Sequence, residues 1–258
     1  MTTKKARLES LVRMLQVEGS LKITEISARL GVSPMTTRRD LELLSSQGEV
    51  KVLYGAVIYT GDEAKGSLSD YLLDVAESLN KEKKKRIAQY AASLIEDNDI
   101  IFLDGGSTTE LLAQYIPSEY HITVVCCSIN VFLTIANKKN IDVILSGGMY
   151  NRKTMILEQA MDSEILRNNR IRKAFISAGG VHEKLGVTCA NQNECVIKKT
   201  AMESSLEKIL VVDSTKFGYV HSCYFADMEE FDTILTDTNL QVDHQKFFED
   251  KKTTLTVV

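Results

Sequence analysis

From Ile100 onward the sequence repeats one unit: a short apolar run, a loop of small and polar residues, then a helical stretch. Ile100-Ile-Phe-Leu103 runs into Asp104-Gly-Gly-Ser-Thr-Thr109 and a helix over Glu110–Tyr115. Ile122-Thr-Val-Val-Cys126 runs into Cys127-Ser-Ile-Asn130 and a helix to about Ala136. Ile141–Leu145 leads into Ser146-Gly-Gly148, Lys173–Ile176 into Ser177-Ala-Gly-Gly-Val181, and Ile209–Val212 into Asp213-Ser-Thr-Lys-Phe-Gly218. Thr233-Ile-Leu235 supplies one more strand. Strands and helices that alternate in this way predict an α/β fold whose parallel sheet is covered on both faces. Ligands of such sheets bind beyond the carboxyl ends of the strands, where these loops gather.

The loops carry the chemistry of an anion site. Asp104-Gly-Gly-Ser-Thr-Thr109 lies between a strand and a helix start, so it offers backbone N–H groups, three hydroxyls and the positive end of a helix dipole. It has neither the G-x-x-x-x-G-K-[ST] spacing of a Walker loop nor the G-x-G-x-x-G of a dinucleotide fold. The run Lys81, Lys83, Lys84, Lys85 and Arg86 opens a helix over Lys81–Glu96 and reads first as a solvated face; Lys84 is the member placed near an anion on the other reading.

The first sixty residues are built differently. Leu8, Leu11, Val12 and Leu15 form one helical face, and Gly19 ends that helix. Ile23, Ile26 and Leu30 give a second short helix stopped by Gly31. Ser33-Pro34 reads as an N-cap followed by proline at the first helical position, opening a third helix to about Ser46. On that helix Thr37, Leu41 and Leu44 share one side, and Met35, Arg38, Arg39 and Glu42 the other. Core seat and basic face are thus separated, as a helix entering a DNA groove requires. Residues 49–57 alternate and turn at Gly55, like a β-hairpin wing.

Charge follows the same division. Nine basic and six acidic residues leave the first sixty at +3, while the rest of the chain carries the acid that brings the total to −4. The polar, glycine-bearing stretch 60–69 reads as a linker, and Tyr71, Leu72, Val75 and Leu79 as a connecting helix. The expected division is a DNA-binding domain over 1–59, a linker and connecting helix over 60–79, and a ligand domain over 80–258. Five cysteines without C-x-x-C spacing fit reduced thiols, with Cys126 and Cys127 in the core or a pocket wall. His121, His182, His221 and His244 show no metal-ligand spacing, so no metal is expected. No apolar run is long enough to span a membrane, and the polar start reads against a signal stretch, so a cytoplasmic protein is expected.

Gly31-Val-Ser-Pro-Met-Thr-Thr-Arg-Arg-Asp-Leu41, with glycines at 48 and 55, resembles the DeoR-type winged helix-turn-helix family over about residues 5–58. Thr37 departs from the isoleucine or valine usual there and brings a hydroxyl that needs a partner in the core. The resemblance implies that Met35, Thr36 and Arg39 meet base edges and that Ser33, Arg38, Lys51 and Tyr54 meet phosphates. Asp40 is expected to orient an arginine or cap a turn.

Residues 80–240 are similar to the sugar-phosphate sensor domain that follows this winged helix in the family, a domain related in fold to ribose-phosphate isomerases. The matching segments are Asp104–Thr109, Cys127–Asn130, Gly147-Gly148, Gly180–Thr188, Asn193–Lys198 and Asp213–Gly218. They imply an effector site made of Asp104, Gly105, Gly106, Ser107, Thr108, Thr109, Ser128, Asn130, Gly147, Gly148, Gly179, Gly180, Glu194, Lys198, Asp213 and Lys216. Ala178–His182, Thr188–Asn191, Leu210–Asp213 and Tyr71-Leu-Leu narrow the resemblance to members controlling deoxyribonucleoside catabolism, with deoxyribose 5-phosphate as the effector. The alternative is a sugar-phosphate isomerase in which Glu194 moves a proton between adjacent carbons. The attached winged helix favours a repressor that is not an enzyme, carries no cofactor, binds double-stranded operator DNA and works as a homo-oligomer.

Overall fold

The computed structural model describes residues 4–18, 20–46, 49–53, 56–59, 80–158 and 164–258. Contacts divide the chain into two compact units, Met1–Asp70 and Tyr71–Val258. Gly19, Gly48, Tyr54, Gly55, the linker and the connecting helix lie outside the described residues, as does the side chain of Lys51.

The first unit contains α1 (Lys4–Glu18), β1 (Ser20–Lys22), α2 (Ile23–Leu30), α3 (Pro34–Ser46), β2 (Val50–Leu53) and β3 (Ala56–Tyr59). Leu11, Leu15, Leu21, Ile26, Leu41, Leu44, Val50 and Val57 form its buried core. α2 ends where Gly31 turns left-handed at φ +63°, a conformation that costs other residues more. Ser33 Oγ then accepts from Thr36 N–H at 3.2 Å, and α3 begins at Pro34. β2 and β3 pair antiparallel as the expected hairpin. β1 was not expected: three residues are too few to show alternation, and they become a strand by pairing Leu21 with Val57 on β3.

Two buried polar groups in this unit find their partners. Thr37 Oγ1 lies 2.8 Å from Ser27 Oγ, whose own hydroxyl donates to Ile23 O at 2.7 Å. The departure at position 37 is therefore matched by a serine on α2, and the helix pair gains a hydrogen bond in place of a methyl contact. Asp40 takes the Arg7 guanidinium as a fork, Nε to Oδ2 at 2.5 Å and Nη2 to Oδ1 at 3.1 Å, fixing α1 to α3.

The second unit begins, within the described residues, with α4 (Lys81–Ser93) and holds a seven-stranded parallel sheet. Its strands are β4 (Ile100–Leu103), β5 (Ile122–Cys126), β6 (Ile141–Leu145), β9 (Ile171–Ile176), β12 (Ser205–Val211), β14 (Thr233–Thr236) and β15 (Thr254–Val257), in the order β15-β14-β12-β9-β4-β5-β6. Alternate side chains enter separate cores: Phe102 packs in one, Ile101 and Leu103 in the other. α5 (Ser107–Tyr115), α6 (Ile129–Ile135), α7 (Glu164–Asn168), α8 (Gln192–Glu203) and α9 (Val242–Lys246) are the further α-helices among the described residues of this unit.

The rest corrects the sequence reading. α5 starts at Ser107, not Glu110, because Gly106 turns the chain at φ +149° and the three hydroxyl residues form the first turn. β15 adds an edge strand beside β14. β10 (Gly180–His182), β11 (Gly186–Cys189) and β13 (Cys223–Ala226) form a small antiparallel sheet, and β7 (Met149–Asn151) pairs with β8 (Ile156–Glu158) as a hairpin. No described helix is long and apolar enough to cross a membrane.

Candidate functional site

A buried carboxylate organises the carboxyl end of the parallel sheet. Asp104 follows β4 directly and is 1% exposed. Its Oδ1 accepts from Gly105 N–H at 2.8 Å, and its Oδ2 from Ser177 N–H and Ser177 Oγ, both at 2.8 Å. Lys198, reaching down from α8, pairs with the same Oδ2 and donates to Ser177 O at 3.0 Å. Burial pushes the Lys198 ammonium toward neutrality, but Asp104 and Glu194 outweigh it and hold its pKa above the ordinary lysine value. The pair locks the loops after β4 and β9 to α8 and forms the floor of a pocket.

The pocket opens above this floor. It is lined by Gly105, Gly106, Ser107 and Thr108 at and just before the start of α5, by Ser177, Ala178 and Gly179 after β9, and by Val211, Val212, Asp213 and Lys216 at and beyond the end of β12. Cys189, Ala190, Glu194 and Lys198 close one side, and Lys84, Thr154, Ile156 and His221 complete the wall. The first N–H groups of a helix have no intrahelical acceptor, so the α5 end presents donors and a positive dipole to the space. Lys84, buried on α4, donates to Ser107 Oγ at 2.9 Å and adds a cation beside that helix start. Lys216 adds another, and burial lowers its pKa against the opposing pull of Asp213. Burial also lowers His221, helped by the neighbouring Lys216 charge.

Burial has moved the ionisation of Glu194 on the wall: its pKa is raised to about 7, chiefly by desolvation, with Lys198 pulling the other way. At neutral pH a large share of Glu194 is protonated and is a donor. The raised folded value means that folding is penalised as pH climbs from the unfolded carboxyl range through about 7. Glu194→Gln is accordingly expected to raise stability by about 2–3 kcal/mol at pH 8 and by little near pH 4.5, read as melting curves across that range.

Of the sixteen expected effector residues, Gly105, Gly106, Ser107, Thr108, Gly179, Glu194, Lys198, Asp213 and Lys216 line the pocket, with Asp104 directly beneath. The remaining six do not line it. Thr109 is buried and donates to Gly106 O, just before α5. Ser128 bonds to Asn130, and Asn130 Nδ2 donates to Glu110 Oε2 at 2.8 Å, which ties α6 to α5. Gly147 and Gly148 are exposed before β7, and Gly180 lies in β10. Sequence reasoning missed Ser177, although it follows an apolar strand as Asp104 does. It also missed Thr154, Ile156 and His221, which no pattern marks.

Asp213 is also an anchor. Its Oδ1 accepts from Thr215 N–H at 3.0 Å and from Asn80 Nδ2 at 3.3 Å, while Lys83 donates to Ser214 Oγ at 3.0 Å. Asn80, Lys83 and Lys84 thus join the start of α4 to the pocket loops. In the first unit, Ser33, Met35, Arg38 and Arg39 are exposed on and beside α3, Thr36 is half-buried, and Leu41 and Leu44 face the core. The basic face predicted for α3 is therefore present and accessible within that unit.

Two family models match the chain: the DeoR-like helix-turn-helix domain over residues 7–62, and the DeoR C terminal sensor domain over residues 79–238. The chain belongs to the DeoR family. Among its relatives, the deoxyribose operon repressor of Escherichia coli K12 is 33% identical over 246 residues, 95% of each chain. The lactose phosphotransferase system repressor of Lactococcus lactis subsp. lactis is 35% identical over 254 residues, 98% of each. A ribose 5-phosphate isomerase A from Methanocaldococcus jannaschii is 18% identical, with a TM-score of 0.39, covering 54% of this chain and 55% of that one. The DeoR assignment makes the chain a transcriptional repressor with an N-terminal DNA-binding domain and a C-terminal sensor domain, and sets the isomerase alternative aside.

Proposed function

We propose that this DeoR-family repressor controls deoxyribonucleoside and deoxyribose catabolism genes and is released from operator DNA by deoxyribose 5-phosphate. The observation that carries the reading is the pocket's division of labour. Ser107, Thr108, Lys84 and Lys216 gather donors and positive charge suited to a phosphate, while Ile156, Val211 and Val212 supply apolar wall suited to a deoxy carbon. Glu194 and Asp213, which line the same pocket, offer carboxyl groups suited to sugar hydroxyls. The similarity to a deoxyribose operon repressor supports this choice of sugar, and the comparable similarity to a lactose phosphotransferase system repressor makes a phosphorylated hexose the outcome to test against it.

On the DNA side, Met35, Thr36 and Arg39 of α3 read base edges, and Ser33, Arg38, Lys51 and Tyr54 hold phosphates. Arg39→Ala is expected to cost about 1–3 kcal/mol of discrimination between operator and random DNA at fixed salt, with ligand-induced melting shifts unchanged. The repressor works in the cytoplasm as a homo-oligomer of at least two copies, so that paired α3 helices meet paired half-sites. Ligand contact with Lys84 and Asp213 acts on α4, the first helix after residues 60–79, and so on the segment that leads to the DNA-binding unit.

A melting screen of the purified protein against deoxyribose 5-phosphate, ribose 5-phosphate and hexose 6-phosphates tests the effector. At 100 times its dissociation constant the true ligand adds about 2.7 kcal/mol, a rise of about 5–10 °C for a unit of this size. A shift with deoxyribose 5-phosphate alone supports the assignment; a larger shift with a hexose 6-phosphate overturns it.

A further inference from the structure

Three cysteines gather at one edge of the pocket. β11 ends at Cys189, and Cys195 lies in the first turns of α8. Their Sγ atoms are 3.3 Å apart, and a modest rotation about the side-chain bonds would bring them to the roughly 2.05 Å of a disulfide. Both sulfurs also lie near one backbone oxygen, Asn191 O, at 3.4 and 3.7 Å. Cys189 lines the pocket, and Cys223 stands opposite it in the β11–β13 pairing, partly exposed.

The environment separates Cys195 from Cys126 and Cys127. Burial pushes Cys126 up to about 12 and Cys127 well above its ordinary value, leaving both inert. Cys195 moves the other way, to about 7: the hydrogen bond from Cys189 is the main cause, and Lys198 and Lys199 add to it against desolvation. Cys189, the donor, is raised in turn. A thiolate with a thiol partner in contact is the arrangement of a redox-responsive pair.

We propose that Cys189 and Cys195 form a hydroperoxide-sensitive dithiol in the wall of the effector pocket, closing to a disulfide that alters how the pocket takes its ligand. The ligand half of this inference rests on the effector reading above. The Cys195 thiolate attacks one oxygen of hydrogen peroxide, the O–O bond breaks, and hydroxide leaves to become water on taking a proton. Cys195 is then a sulfenic acid. Cys189 attacks its sulfur, the S–O bond breaks, and a second water departs. Two thiols and one peroxide give one disulfide and two waters. The bridge ties the end of β11 to the helix that carries Glu194 and Lys198.

The test uses the full chain, reduced and then exposed to hydrogen peroxide, quenched in acid, unfolded, alkylated and cut with trypsin. Leu185–Lys198 is one tryptic peptide containing both cysteines, whereas Cys223 falls in another. The expected result is that this peptide escapes alkylation and is lighter by two hydrogens, that dithiothreitol reverses the change, and that bridge formation rises with pH around 7. Cys195→Ser is expected to lose the bridge, and at pH 7 its peroxide consumption should fall more than about tenfold. In the oxidised chain the melting shift caused by deoxyribose 5-phosphate is expected to shrink and to return on reduction. Alkylation of both cysteines after peroxide, or a bridge from either of them to Cys223, overturns the pair. A formed bridge with an unchanged melting shift overturns its link to the ligand. A reduced chain that no sugar phosphate stabilises overturns the effector reading, and with it that link, while the peptide mass still decides the dithiol.

Discussion

Asp104→Ala is expected to destabilise the second unit by about 3–5 kcal/mol, because it leaves the Lys198 ammonium buried without its counter-charge. For a unit of this length that corresponds to a fall in melting temperature of about 6–20 °C. The same substitution strips the acceptor from Ser177 N–H and Gly105 N–H, which hold the pocket loops in place. Removing the charge as well, in Asp104→Ala with Lys198→Met, is expected to recover a large part of the loss. Calorimetry of the two single variants and the double variant reads this directly. A double variant as unstable as the sum of the singles would show that the pair is not the coupled floor of the site.

Ser107→Ala combined with Thr108→Ala carries the other large effect. Each hydroxyl removed from a charged ligand costs about 1.5–3 kcal/mol of binding, so effector affinity is expected to fall by about 10²–10⁴-fold. Operator binding without effector is expected to stay near that of the parent chain, since neither residue belongs to the DNA-binding unit. Paired titrations, one of ligand by melting shift and one of operator by anisotropy, separate the two. Unchanged ligand affinity would place the phosphate elsewhere.

The parts legible in the sequence share a physical cause. β4 and β5 appear at the residues their apolar runs predict, because strands buried on both faces leave few polar positions to blur their ends. α3 is legible because Ser33 and Pro34 define its start chemically. β1, β11 and β15 are not, because short or edge strands owe their existence to the neighbour they pair with rather than to a pattern of their own.

The site divides along similar lines. The Asp104–Thr109 loop announced itself by composition and position, yet the partner of Asp104 did not. Lys198 is 94 positions away, and no spacing rule connects a loop carboxylate to a particular lysine on a later helix. Lys84 stood in a run of five basic residues whose one buried member only packing could identify. Ser128 and Asn130 carried the right chemistry at a strand end, but they use it to join α6 to α5.

Occupation of the sheet-rim pocket is expected to weaken the grip of α3 on DNA. The measurement that bears on it most directly is the operator dissociation constant, taken by fluorescence anisotropy at fixed salt, with and without saturating deoxyribose 5-phosphate. A coupling of about 1–3 kcal/mol is expected, a weakening of about 5–150-fold, matched by an equal loss of effector affinity on operator-bound protein. An operator affinity that stays constant while the same ligand demonstrably fills the pocket contradicts it.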